Sequence, residues 1–136
     1  MPLKLNERSL ANLKGVHPDL VRVVMRCVND WDDDELGFIV TCGVRTLEQQ
    51  KKLKAKGASK TLRSRHIPGP KGYSHAIDVA ATLDGDVKWD WPLYKVIADR
   101  MKAAARAERV PVFWGGDWKS WKDGPHYELP RQKYPD

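Results

Sequence analysis

The sequence predicts an α+β domain, a small, mainly antiparallel sheet packed with helices. Three observations point there. Apolar residues recur at helical spacing after Pro18 and again after Asp90, short β-branched or aromatic runs lie between and beyond these segments, and Asp84-Gly85 separates two such runs as a hairpin turn. Helices and hairpin-type strands mixed in this order suit an α+β layer arrangement.

The elements follow in chain order. Pro18 suits a first helical turn, and Leu20, Val23, Val24, Cys27, Val28 and Trp31 then form one apolar face until Asp32-Asp33-Asp34 ends it. Phe38 to Cys42 reads as a strand. Thr46 with Gln49 three residues later is a capping-box signature, opening a helix expected to stop at Gly57. Residues 58–74 read as a long loop. Ala76 to Leu83 and Val87 to Trp89 form the hairpin around Asp84-Gly85. Asp90 is placed to cap a helix with Pro92 near its start, burying Leu93, Val96, Ile97, Met101 and Ala104. Val110 to Trp114 and His126 to Leu129 read as closing strands.

The 136 residues fit one domain, 1–136, able to bury a core without disulfides. Cys27 and Cys42 form no C-x-x-C pair and are expected to be reduced and buried. No stretch approaches the roughly 20 apolar residues of a membrane span. The first residues, MPLKLNERSLANLK, hold no apolar signal-peptide segment, so synthesis in a cytoplasm and release by another factor are expected. The formal net charge of +6 favours polyanionic partners, whether nucleic acid, anionic lipid or acidic envelope polymers. Its two concentrations, Lys51–Lys56 and Lys60–Arg65, read equally well as solvated surface.

Zinc hydrolases take three ligands from His, Asp or Glu and leave a position open for water. The candidates are His17, His66, His75 and His126, with Asp78, Asp117, Asp123 and Glu128. Strand alternation turns His75 away from the face that carries Asp78, whereas His66, on the preceding loop, can fold back towards it. Asp123-Gly124-Pro125-His126 sets a carboxylate three residues before an imidazole, and a tight turn through Gly124-Pro125 would bring both towards one centre, where a carboxylate beside a metal-bound water can act as general base. On its own, such a D-x-x-H pattern is more often surface turn chemistry.

Four ordered blocks carry a family resemblance. Gly43-Val44-Arg45-Thr46 with Gln50, Ser64-Arg65-His66 with Ala76-Ile77-Asp78, Trp114-Gly115-Gly116-Asp117-Trp118, and Asp123-Gly124-Pro125-His126-Tyr127-Glu128-Leu129 together resemble phage endolysins of the L-alanyl-D-glutamate peptidase type. These sit beside the D-Ala-D-Ala carboxypeptidases of the vancomycin-resistance type in the zinc-dependent Hedgehog/DD-peptidase fold. The resemblance implies one zinc ion per chain on His66, Asp78 and His126, Asp123 as general base, and Arg45 steadying the scissile carbonyl and its oxyanion. It gives Ser64 and Gln50 orienting or substrate-binding roles, while strand parity with His126 suggests that Glu128 orients that ligand. The segment from His66 to Asp78 is five residues longer than the family pattern S-x-H-x-x-G-x-A-x-D, an excess placed within Pro68–Ser74; the competing alignment makes His75 the ligand in place of His66.

The resemblance implies a monomeric peptidoglycan endopeptidase, a single catalytic domain with no separate wall-binding domain. It is made in the host cytoplasm and acts on the wall or periplasm to lyse the host. Anionic envelope surfaces are a further expected partner; nucleic acid and integral membrane segments are not expected. A D-Ala-D-Ala carboxypeptidase with the same centre and a non-catalytic zinc-stabilised binding module are the competing readings. Blander roles apply to His17 as a helix cap, His75 as a structural histidine, Trp114 and Trp118 as either core or cleft, and Asp117 as a salt bridge, turn former or second cation site.

Overall fold

In the computed structural model, residues 3–59 and 63–135 are described; Lys60 to Leu62 of the expected basic group lie outside them. The longest strand organises the rest. Ala76–Leu83 (β2) pairs along one edge with Leu36–Cys42 (β1), antiparallel, from Leu36↔Leu83 to Cys42↔Asp78, with an irregularity between Val40 and Cys42. Along its other edge, the start of β2 pairs with His126–Glu128 (β5) and its end with Asp86–Lys88 (β3). Phe113–Trp114 (β4) closes the far side, giving the order β1-β2-β5-β4 with β3 on β2, all antiparallel. The α+β expectation holds.

Among the described residues, four helices accompany the sheet. Glu7–Asn12 (α1), capped by Asn6, packs on β1; Pro18–Asn29 (α2) and Trp91–Glu108 (α4) pack on each other; Leu47–Ala55 (α3) opens with the capping box of Thr46 and Gln49. Asp84 and Gly85, at φ 50° and 87°, make the tight turn between β2 and β3 that only Gly, Asn or Asp adopt at little cost. Leu20, Val23, Val24, Cys27 and Val28 of α2 meet Ile97, Ala98, Met101 and Ala104 of α4 and Ile77, Val79 and Tyr127 of the sheet in one core. Trp31 joins it, donating its indole N–H to the Leu36 carbonyl at 2.7 Å.

Several details depart from the sequence expectations. The helix α1 and the short 3-10 turn Gly115–Asp117 were not expected. Asp90 occupies the N-cap of α4 but makes no side-chain capping bond, and Val96 is exposed, its place on the buried face taken by Tyr94 and Ala98. The closing strand begins at Phe113 rather than Val110, because Val110 turns into the core beneath the left-handed Arg109 that ends α4. Cys27 is buried as expected, whereas Cys42 is only partly so; both are free. The lysines of α3 are exposed, which matches a solvated helix face. No helix among the described residues is long and apolar enough to cross a membrane.

Candidate active site

Strand register builds one row of side chains. Cys42 on β1, Asp78 on β2 and His126 on β5 are successive cross-strand partners at one end of the sheet. Partners in an antiparallel ladder share a face, so a thiol, a carboxylate and an imidazole are set side by side. The 63–75 loop then brings His66 over the row. Arg45 donates its backbone N–H to the His66 carbonyl at 2.8 Å, His75 donates to the Arg65 carbonyl at 2.8 Å, and Ser64 Oγ accepts from the His66 N–H at 3.1 Å. The loop is fixed on both sides of the histidine.

Each imidazole has one nitrogen held and the other turned inward. His66 Nδ1 lies 2.8 Å from the Gly43 carbonyl, which can only accept, so the proton sits on Nδ1. His66 Nε2 is buried without a hydrogen-bond partner among the described residues and lies 3.3 Å from Asp78 Oδ2. On His126 the roles of the nitrogens reverse: Nε2 meets Glu128 Oε1 at 2.8 Å and Nδ1 faces Asp78 Oδ1 at 3.2 Å. Ligating histidines show this pattern, with an outer acceptor fixing the tautomer and a lone pair left for the ion.

Electrostatics agree with that geometry. Burial opposes charge on Asp78, yet hydrogen bonds from His126 and His66 hold its carboxyl far below the usual range. Burial likewise opposes charge on the imidazoles; Asp78 outweighs it, with Cys42 for His66 and Glu128 for His126, raising both and His66 to about 10. A pocket that favours added positive charge here also favours a cation. Two groups among the described residues could hold a metal ion, Cys42–His66–Asp78 and Asp78–Asp123–His126, with candidate ligand atoms in each within 4.8 Å of one another.

The remaining expected residues gather around this centre. The Asp123-Gly124-Pro125-His126 turn is pinned by Asp123 N–H to Gly115 carbonyl (3.0 Å), His126 N–H to Asp123 carbonyl (3.2 Å) and Trp114 indole N–H to Gly124 carbonyl (2.7 Å). Gly115 is required there: a Cβ would lie 2.4 Å from the Asp123 carbonyl oxygen. Burial, then the nearby charge of Asp78, pushes the Asp123 carboxyl above its ordinary value. Arg45 donates to Gln50 Oε1 at 2.8 Å and sits 3.4 Å from Asp78 Oδ2, while the fully buried Gln50 donates onward to Ser59 Oγ at 2.7 Å. Arg45, Ser64, His66, Asp78, Asp123, His126 and Glu128 all line one open cleft of about 500 Å³.

The other candidate residues lie elsewhere in the fold or in contacts of their own. His75 lies outside the cleft lining, its ring 5.6 Å from that of His17. His17 caps α2, its Nδ1 accepting from the Asp19 N–H at 3.0 Å. Trp114 is core, whereas Trp118 lines the cleft with its ring 5.2 Å from His126. Asp117 pairs with Lys102 at 2.7 Å. Sequence reasoning passed over Cys42, the Gly43 carbonyl, Trp121 and Arg131. Only Cys42 carried a usable signal, as a thiol ending a strand directly before the Gly43-Val44-Arg45-Thr46 block.

Comparison with known proteins gives a consistent result. The sequence profile described as phage L-alanyl-D-glutamate peptidase matches residues 1–133. The L-alanyl-D-glutamate peptidase of Listeria phage A118 is 31% identical over 128 residues, 93% of this chain and 42% of that protein. The peptidoglycan L-alanyl-D-glutamate endopeptidase CwlK of Bacillus subtilis (strain 168) is 30% identical over 102 residues, 69% of this chain and 61% of that protein. The chain thus spans less than two thirds of either relative. The crystal structure of the Serratia marcescens L-Ala D-Glu endopeptidase ChiX superposes with a TM-score of 0.85 at 41% identity, covering 98% of this chain and 95% of that one. By the extent of these matches, the chain belongs to the phage L-alanyl-D-glutamate peptidase family.

Proposed function

We propose that this protein is a zinc-dependent endopeptidase that hydrolyses the L-alanyl-D-glutamate bond of peptidoglycan stem peptides, acting on the cell wall in host lysis. One observation supports this above the rest. Two imidazoles, each with its outer nitrogen held, turn their inner nitrogens onto one carboxylate, in a cleft that also presents an acid and a guanidinium.

His66, Asp78 and His126 would hold the ion. When bound, a zinc ion in such a site lowers the pKa of a water and polarises the scissile carbonyl. Asp123, raised by burial towards working pH, takes the proton of the attacking water and gives it to the departing amine. Arg45, held by Gln50, offers a fixed cation to the oxygen that becomes negative. Glu128 and the Gly43 carbonyl keep the two rings in the required tautomers. The net positive charge suits an anionic wall, so activity on intact walls should fall with added salt while cleavage of a short soluble peptide does not.

Product mapping on purified peptidoglycan tests the proposal. The expected products are stem peptides with a new D-Glu amino terminus, suppressed by a chelator and restored by zinc. Release of terminal D-Ala points instead to a carboxypeptidase, and binding without any cleaved bond points to a non-catalytic module.

A further inference from the structure

Among the described residues, four arginines line the cleft, and they are not equivalent. Arg45 is engaged by Gln50 and Asp78 beside the candidate metal centre. Arg65 is buried, its guanidinium held by the carbonyls of Leu129 and Tyr134. Arg63 and Arg131 are exposed, and with Ser64 they also line a second groove of about 260 Å³ bordered by Pro68 to Pro70. These residues therefore form the saddle between the catalytic cleft and that groove.

Arg131 presents a positioned guanidinium to the cleft. Its backbone follows the buried Leu129-Pro130 and enters a turn closed by Lys133 and Tyr134 N–H groups on the Pro130 carbonyl, so its origin is fixed. Nη2 donates to the Arg63 carbonyl, which aims the fork, and among the described residues no carboxylate lies within ion-pair distance of it. The acids of the cleft, Asp78, Asp123 and Glu128, are grouped at the histidines on the sheet end. The substrate proposed above carries an anion suited to such a fork. A glutamate that gives its amine to the scissile bond and one carboxyl to the continuing chain leaves its other carboxyl free, a few bonds from the scissile nitrogen.

We propose that Arg131, resting on the Arg63 backbone, is the specificity-determining residue that binds the free carboxylate of the D-Glu residue. This inference rests on the peptidase reading above. A planar guanidinium matches a carboxylate two-pronged and discriminates strongly against a carboxamide.

The test is steady-state kinetics on two short peptides containing the L-Ala–D-Glu bond, one with the remaining glutamate carboxyl free and one with it as the carboxamide. The wild type should favour the free acid. Arg131→Ala should raise KM for the free acid about tenfold, with kcat within about twofold, and leave the carboxamide nearly unchanged. Arg131→Lys should recover part of the preference and Arg131→Glu should reverse it; unchanged circular dichroism melts show that these exposed substitutions leave the fold intact. Equal losses on both peptides, or a wild type indifferent to the carboxyl, overturn the assignment while leaving the peptidase reading standing. A wild type that cleaves neither peptide, nor purified wall, overturns both.

Discussion

Under the zinc reading proposed above, Glu128→Ala isolates the part of the site that would lie one step removed from the ion. Glu128 accepts from His126 Nε2 at 2.8 Å, which leaves the lone pair on Nδ1, the nitrogen 3.2 Å from Asp78 Oδ1. Without that carboxylate the neutral ring is free to put its proton on Nδ1, where it cannot ligate. Loss of such a partner weakens metal affinity about 10–100-fold, or roughly 1.4–2.7 kcal/mol. At free zinc about 100 times the wild-type Kd, binding stabilises the folded chain by about 2.7 kcal/mol, falling to about 1.4 or 0.4 in the variant. For a domain of this size, that difference lowers the zinc-dependent rise in Tm by about 5–8 °C. The increment between zinc and chelator is the quantity to read, because the variant also loses a hydrogen bond in the metal-free state. Competition against a chromophoric chelator gives Kd directly, and Glu128→Gln, which keeps an acceptor oxygen, should fall between wild type and Ala. An unchanged Kd with an unchanged increment would refute the tautomer argument.

Three further outcomes are expected. Asp123→Ala should lower kcat/KM about 10²–10⁴-fold with zinc still near one per chain; a rate near wild type removes Asp123 as base, and loss of the metal makes it a ligand, as its position beside Asp78 and His126 allows. Gly43→Ala places a Cβ 1.9 Å from the Asn12 carbonyl oxygen, a backbone atom that cannot yield, so denaturant melts should show a loss of about 3 kcal/mol or more. Tyr134→Phe removes the hydroxyl that donates to Asp19 Oδ2 at 2.7 Å and should cost about 1 kcal/mol at neutral pH. The hydrogen bond from Tyr134, then Arg22, outweighs burial to hold the Asp19 carboxyl below its ordinary value. Its contribution is therefore present above the unfolded pKa and disappears as pH falls through the folded one, so wild-type and variant stabilities should converge below about pH 4. A constant gap across that range contradicts the pairing.

Much of the architecture was legible because the deciding interactions are local. The Thr46–Gln49 capping box, Pro18 in a first turn and the Asp84-Gly85 reversal each act within a few residues, and each stands where expected. Alternation alone separated His75 from Asp78, and the structure sets His75 against His17. The misses have physical causes too. Val96 shares a helical spacing with Leu93 and Ile97, but α4 is rotated so that the larger Tyr94 enters the core, its hydroxyl donating to the Lys88 carbonyl at 2.8 Å. Val110 to Val112 have strand-like composition, yet the left-handed Arg109 turns the chain before a ladder can begin.

By itself the sequence determined the α+β class, the helix starts, the hairpin, and the residue types from which a metal-binding cleft could be assembled. Tertiary structure decided which of those residues meet. The pairing of β5 with the start of β2 set His126 opposite Asp78, the β1 register added Cys42 to the same row, and packing of distant segments separated the buried Arg65 from the open Arg131. Capping and turn energies are fixed by neighbours in the chain. Register is fixed by burying a whole sheet face at once, and a slip of one residue would turn Asp78 to the opposite face.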